Sequence, residues 1–226
     1  MWLYVWTSEL KEAYLWAWPS IPTTNLLAYY PLTSDANDHK ADLWATWTTY
    51  NWTWTWTASY STVWGKTAAY FVRGSRRIST WLSRSSLPIT FGCRVYHTTS
   101  NDWETPIWNP TWNNSNWFAI RLVYTSGSEV MYVTNWSGSD QNILTWFESN
   151  TRIHLMVTIE SWTTKVYMNG ELIKTISSGS AGGSTFYLAS YWSYTTYWFN
   201  GYIRDVLIYS KVLSDGEVSD IYNATK

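Results

Sequence analysis

The chain has 226 residues, a formal net charge of −1 and only 14% charged residues. These values, and the lack of a basic run, argue against electrostatic binding of nucleic acid or of an anionic membrane surface. No apolar run approaches membrane-spanning length, so no membrane insertion is expected. The single cysteine, Cys93, lies in an apolar alternating run and is expected to be a buried, inert thiol.

Residues 1–24 are predicted to form a separate N-terminal segment before a main domain that spans residues 25–226. Two apolar stretches, Tyr4-Val5 and Ala13-Tyr14-Leu15, flank the mostly charged residues 9–12, which favours a small hairpin. Pro19 and Pro22 then interrupt the chain. The segment either adds a strand pair to the main domain or attaches that domain to a larger assembly. It has no basic region followed by an apolar stretch, so it is not expected to be a signal peptide.

Residues 44–64 are low in complexity and contain mostly Trp, Thr, Tyr, Ser and Ala. Trp52, Trp54 and Trp56 alternate with threonine. A strand here would put three indoles on one face, as in a platform on which sugars stack. A loop is the alternative for this segment.

Ten runs rich in β-branched or aromatic residues, bounded by Ser, Thr, Asn or Gly, predict β-strands. They are Leu26–Tyr30, Ala68–Val72, Ile89–Tyr96, Phe118–Tyr124, Glu129–Thr134, Arg152–Glu160, Lys165–Asn169, Glu171–Ile176, Phe186–Ser190 and Tyr202–Tyr209. Asn169-Gly170 predicts a type I′ hairpin turn. Ser214 and Glu217 fit a capping box that opens a short terminal helix. Many strands with one helix favour an antiparallel sandwich.

The tryptophans follow a pattern that is typical of glycine. There are twenty tryptophans against eleven glycines, and eleven of the tryptophans follow Asn, Asp, Ser or Thr. A β-rich chain turns at such positions, and turns of this kind need a positive φ, which glycine adopts without steric cost and a bulky side chain does not.

Three stretches together carry a family resemblance: Leu26 to Asp38, Arg152 to Glu171, and Phe199 to Glu217. They resemble the opening strand and acidic loop, the central hairpin, and the closing strand and helix of concanavalin A-like, laminin-G-like jelly-roll domains. The resemblance covers residues 26–226. It implies an all-β, two-sheet antiparallel jelly-roll sandwich with a short C-terminal helix. The family includes lectins, adhesins, enzyme-attached modules and phage fibre parts.

Aligned with this family, Trp162 and Trp198 stand at habitual glycine positions, and the N-terminal segment resembles leaders of phage structural proteins. We therefore hypothesise a phage structural or fibre-type variant in which UGA codons encode glycine and were translated as tryptophan. The alternative is a real, aromatic-rich surface.

The resemblance implies a non-catalytic recognition module, one that binds carbohydrate on a phage virion or a cell surface. The loops favour aromatic and short polar contacts to a surface glycan, and the candidate residues are Trp108, Trp112, Tyr191, Tyr194 and Tyr197. A purely structural virion decoration or tail protein, whose partner is another virion protein, is the alternative. A homo-oligomer is left open.

A glycoside hydrolase of the same fold is the second alternative, and it would need two carboxylates about 5 Å apart. No predicted strand carries such an array, and Glu160 and Glu171 are expected to be solvated. The histidines are scattered, with His154 expected to be packed in the interior.

Structural calcium is a further expectation. Asp35, Asn37 and Asp38 offer clustered oxygen ligands, and the resemblance implies a calcium site near the first loop and the closing strand, where Asp205 matches. Arg204 departs from the family pattern, and an Asx-rich turn without metal is the alternative.

Overall fold

The computed structural model describes residues 21–34, 52–54, 59–63, 65–72, 78–83, 87–98, 104–109, 118–125, 128–135, 139–144, 150–177, 185–189 and 199–226. In these ranges the chain forms two antiparallel sheets and one C-terminal helix, which confirms the predicted two-sheet antiparallel sandwich.

The first sheet has eight strands. They are β1 (Leu26–Tyr30), β3 (Ser59–Val63), β4 (Lys66–Phe71), β6 (Ile89–His97), β11 (Arg152–Glu160), β12 (Thr163–Met168), β13 (Glu171–Ile176) and β15 (Gly201–Tyr209). Their order is β13-β12-β11-β6-β15-β4-β3, and β1 also pairs with β15.

The second sheet has seven strands. They are β2 (Trp52–Trp54), β5 (Ile78–Ser83), β7 (Glu104–Asn109), β8 (Phe118–Thr125), β9 (Ser128–Asn135), β10 (Ser139–Leu144) and β14 (Thr185–Leu188). Their order is β10-β9-β8-β7-β14-β5-β2.

The main core lies between the sheets. Alternate residues of the central strands point into it, among them Phe91 and Val95 of β6 and Leu155 and Val157 of β11, and all four are at most 1% exposed. Each fully buried side chain of this kind contributes about 1.5–3 kcal/mol relative to leaving it exposed. The predicted buried thiol of Cys93 is confirmed, and burial raises its pKa to about 12.

The predicted hairpin and helix are both confirmed. Asn169 and Gly170 have φ values of 52° and 85°, as a type I′ turn requires. The helix α1 (Asp215–Thr225) begins after Ser214, whose hydroxyl accepts a hydrogen bond from the backbone N–H of Glu217, and the Glu217 carboxylate accepts one from the Ser214 N–H.

The helix packs on the outer face of the eight-stranded sheet. Its Val218 and Ile221 form a second apolar cluster with outward-facing residues of the strands, including Met156, Tyr167 and Leu207. This face is therefore partly covered by the chain itself.

Four strands were missed by the sequence analysis: β3, β5, β7 and β10. They are rich in Ser, Thr, Asn or Trp and lack an apolar run, so their signal was weak. In the low-complexity segment, the strand alternative is confirmed for Trp52–Trp54, while Trp56 lies outside the described residues.

Trp162 is confirmed to occupy a glycine-like turn position. It follows β11 with a φ of 70° and is 77% exposed.

The N-terminal segment is described only from residue 21 onward. Ile21 is buried with the helix cluster, and the boundary between residues 24 and 25 stays a prediction.

Candidate functional site

A row of three tyrosines crosses the outer face of the eight-stranded sheet. The register pairs Tyr70 of β4 with Tyr202 of β15, and Tyr202 with Tyr96 of β6. The ring of Tyr202 lies 4.7 Å from that of Tyr70 and 5.7 Å from that of Tyr96, between centroids. All three side chains are half-buried. The intervening residues of each strand point into the core, which sends the tyrosines outward.

One step along the strands, the same face carries arginines. Arg204 of β15 is paired in register with Arg94 of β6, and Arg152 of β11 is paired with Tyr96. Together with Lys66 of β4, these arginines line a small open depression next to Tyr96 and Tyr202. Like charges directly opposite each other in a sheet are unfavourable, so this arrangement needs a partner of opposite charge.

Arg94 has a structural role beneath the depression. It is 2% exposed; its Nε donates to Oγ1 of Thr225 at 2.8 Å and its Nη2 to the carbonyl of Tyr222 at 2.6 Å. Burial lowers the pKa of Arg94 to about 10; Asp205 opposes that shift, and the positive charges of Arg152 and Arg204 add to it. The side chain ties the C-terminal end of α1 to the sheet.

Asp205 supplies a negative charge to this cluster. It lies at an irregularity in β15 with a φ of 50° and is 2% exposed. Nε of Arg204 donates to its Oδ2 at 2.6 Å, the hydroxyl of Tyr29 donates to its Oδ1 at 3.1 Å, and Nε of Arg94 lies 4.0 Å from Oδ2.

The surroundings of Asp205 bear on the calcium prediction. A carboxylate held by two guanidinium groups fits an internal ion pair better than a metal ligand. Asp35, Asn37 and Asp38 lie outside the described residues. Among the described residues, no three His, Cys, Asp or Glu side chains form a group that could hold a metal ion. The calcium site stays a prediction.

Of the carbohydrate-binding residues predicted from sequence, Trp108 alone falls within the described ranges. It belongs to β7, and the register pairs it with Tyr187 of β14, a half-buried side chain between the core residues Phe186 and Leu188. Trp112, Tyr191, Tyr194 and Tyr197 lie outside the described residues.

The tyrosine row and the arginines were missed by the sequence analysis. The signal that could have found them is alternation: Arg94 and Tyr96 alternate with the apolar residues Cys93 and Val95 in β6. Alternation shows which side chains point outward, but it does not show which strands are neighbours.

Both histidines that the structure describes, His97 and His154, are buried. His154 is confirmed as a packed interior residue, since it is fully buried and its ring centroid lies 5.8 Å from that of Tyr222. Burial, with a smaller effect of Arg94, lowers its pKa to about 3. His97, at the end of β6, lies against Glu104 of β7 with 2.8 Å between Nε2 and Oε2.

Glu160 and Glu171 are confirmed as exposed.

The two facing antiparallel sheets and the terminal helix define a jelly-roll sandwich of the concanavalin A type. The chain belongs to the Laminin_G_3 family of the concanavalin A-like lectin/glucanases superfamily, whose model matches residues 74–219. Comparison with curated protein sequences gave no significant match.

Solved structures share this fold. Domain 4 of AbnA, a GH43 extracellular arabinanase from Geobacillus stearothermophilus in complex with arabinotriose, is similar with a TM-score of 0.67 and 18% identity, over 88% of this chain and 98% of that one. A structure described as showing that cell entry of botulinum neurotoxin type C depends on interaction with two ganglioside molecules gives a TM-score of 0.63 and 15% identity, over 90% of this chain. The match spans 52% of the toxin chain. The binding domain of Paraclostridial Mosquitocidal Protein 1 gives a TM-score of 0.61 and 17% identity, over 89% of this chain and 52% of that one.

No helix among the described residues is long and apolar enough to cross a membrane.

Proposed function

We propose that this chain is a non-catalytic recognition module that binds carbohydrate through an accessible sheet face. The observation that carries the proposal is the row of Tyr70, Tyr202 and Tyr96. Membership of a lectin/glucanase superfamily supports it. So does the likeness to a domain solved with arabinotriose.

The chemistry of the row suits a sugar. A tyrosine ring offers an apolar surface for the C–H face of a sugar ring, and its hydroxyl hydrogen-bonds to sugar hydroxyls. Tyrosine also loses little conformational entropy on binding, since it has two side-chain torsions. The sheet holds the three rings in place before a ligand arrives, which lowers the cost of binding.

The site supports binding better than hydrolysis. A glycosidase needs an acid and a second carboxylate about 5–10 Å apart. Beside the tyrosine row, within the described part of the chain, the buried carboxylate of Asp205 is engaged by Arg204 and Tyr29. It is not available to protonate a glycosidic oxygen.

The test is titration calorimetry of the full chain against a panel that includes arabinan oligosaccharides and ganglioside headgroups. We expect saturable binding to at least one glycan and an affinity about tenfold lower with Tyr202→Ala, since an aromatic ring contact contributes about 0.5–1.5 kcal/mol beyond the area that it buries. Tyr187→Ala, on the other sheet, is the matched control. If Tyr187→Ala weakens glycan binding and Tyr202→Ala does not, the binding site lies instead beside Trp108 in β7. No binding to any glycan would overturn the proposal.

We place the module on a phage virion or a cell surface, as the resemblance of residues 1–24 to phage leaders suggests. Removal of residues 1–20, which keeps the buried Ile21, should then abolish incorporation into particles and leave glycan binding intact. Incorporation with no glycan binding by the full chain would favour a purely structural virion protein. Sedimentation of the same samples would decide whether the chain is a homo-oligomer.

The proposal includes glycine at tryptophan positions encoded by UGA. Trp162 supports it, because an exposed indole at a φ of 70° lies in a turn that favours glycine. Mass spectrometry of the tryptic peptide 153–165, from protein purified from its native source, tests it. A mass lower by the difference between tryptophan and glycine supports recoding, and the full tryptophan mass contradicts it.

A further inference from the structure

The depression beside the tyrosine row has a strong excess of positive charge. Of the nine described residues that line it, four are cationic and none is acidic, although only 14% of the chain is charged and the net charge is −1. Lys66, Arg94, Arg152 and Arg204 are drawn from four strands of one sheet. The concentration is therefore a product of the fold and not of a basic run in the sequence.

Among the described residues, the cations are only partly neutralised. Asp205 is bonded to Arg204 and lies 4.0 Å from Arg94. Within the described ranges, no carboxylate forms an ion pair with Lys66 or Arg152. The buried Arg94 also feels the positive charges of Arg152 and Arg204, which lower its pKa. A second anion near Arg152 would relieve this repulsion.

The shape of the depression limits what the anion can be. The space is small and open to one side, with Tyr96 and Tyr202 on its rim. It has room for a single charged group and not for a whole sugar ring. A ring attached to that group would extend toward the tyrosine row.

We propose that the cationic depression formed by Lys66, Arg152 and Arg204, with Arg94 beneath it, binds the carboxylate or sulfate group of an acidic glycan whose sugar rings lie over the tyrosine row. This inference rests on the proposed carbohydrate binding and narrows the ligand to acidic polysaccharides. A planar guanidinium donates two parallel hydrogen bonds to a carboxylate or a sulfate, which gives direction as well as charge.

The test compares matched polymers on the full chain. Dextran with dextran sulfate tests the sulfate, and fully methyl-esterified polygalacturonate with polygalacturonate tests the carboxylate. Duplex DNA is included as a polyanion without the sugar surface. We expect tighter binding to one acidic polymer than to its neutral partner, and weakening of that binding by salt.

The variants locate the site. Arg152→Gln and, independently, Lys66→Gln are each expected to weaken binding of the acidic polymer about tenfold, since a charge-assisted hydrogen bond is lost. Binding of the neutral partner should not change. The matched control is Lys174→Gln, an exposed cation on β13 at the opposite edge of the same sheet, which should leave both affinities unchanged. Circular dichroism checks that each variant is folded.

The outcomes separate this inference from the proposed function. Equal binding of neutral and acidic polymers, unaffected by Arg152→Gln and Lys66→Gln, would overturn the acidic ligand and leave carbohydrate binding standing. Binding of DNA as tightly as the acidic polymer, or an equal effect of Lys174→Gln, would reduce the site to nonspecific charge attraction and overturn the inference. Binding of none of the polymers or glycans would overturn both.

Discussion

Nε2 of His97 lies 2.8 Å from Oε2 of Glu104, and both side chains are at most 3% exposed. The pair links the end of β6 in the eight-stranded sheet to the start of β7 in the seven-stranded sheet. The same carboxylate oxygen accepts a hydrogen bond from the backbone N–H of Asn200 at 3.1 Å. The end of β6, the start of β7 and the chain at Asn200, 96 residues after Glu104, therefore meet at one buried carboxylate.

Glu104→Ala is expected to destabilise the fold by about 3 kcal/mol. The substitution leaves the buried ring of His97 without the carboxylate beside it and the N–H of Asn200 without its acceptor. Urea unfolding followed by circular dichroism measures the loss. Glu160→Ala, at the exposed end of β11, is the control and should change the free energy of unfolding by less than about 0.5 kcal/mol. Equal effects of the two variants would mean that the buried pair adds nothing to stability.

His154 should make the protein less stable as the pH falls from 6.5 to 5. Its pKa in the folded state is about 3, because burial and then Arg94 disfavour the charged ring. Below about pH 6.5 His154 takes up a proton in the unfolded chain but not in the folded one. The free energy of unfolding therefore decreases as the pH falls below 6.5. Over this interval we expect a loss of about 1.5 kcal/mol.

His154→Leu provides the control, since it removes the titrating ring from the same buried position. Denaturant unfolding at several pH values should show a flatter dependence for the variant than for the parent chain. An unchanged slope in the variant would assign the acid sensitivity to other groups.

Trp162→Gly should stabilise the protein by about 1 kcal/mol. A residue with a Cβ atom pays about 1–2 kcal/mol in the left-handed region, and glycine does not. Trp162→Ala is the matched control, because it removes the exposed indole but keeps the Cβ atom and thus the strain. If thermal unfolding shows the same gain for both variants, the indole and not the backbone is the cause.

Ser214→Ala is expected to cost about 1 kcal/mol, because the N–H of Glu217 loses its acceptor at the start of α1. Ser161→Ala, in an exposed turn, should be close to neutral. Chemical denaturation compares the two. The cost of Ser214→Ala should also appear as faster hydrogen exchange in the first turn of the helix, and unchanged exchange there would argue against the cap.

Turns and helix caps could be predicted from the sequence, because each depends on residues that are close together in the chain. The turn at Asn169-Gly170 and the cap at Ser214 depend on residues within a few positions of each other. The apolar runs of β6 and β11 predicted strands, because strands buried on both faces need nearly continuous apolar sequence. Strands such as Ile78–Ser83 and Ser139–Leu144 lack that signal. They form by pairing with neighbours that the sequence does not reveal.

By itself, the sequence determined the family, the sandwich class and the glycine-like position of Trp162. Each of these rests on residue order or on a single backbone conformation. Only the tertiary structure brought Tyr70, Tyr96 and Tyr202 into one row. It also placed Arg94 directly opposite Arg204 in the neighbouring strand. Those residues come from strands far apart in the chain, and their proximity depends on strand order and register, which long-range hydrogen bonding and core packing decide together.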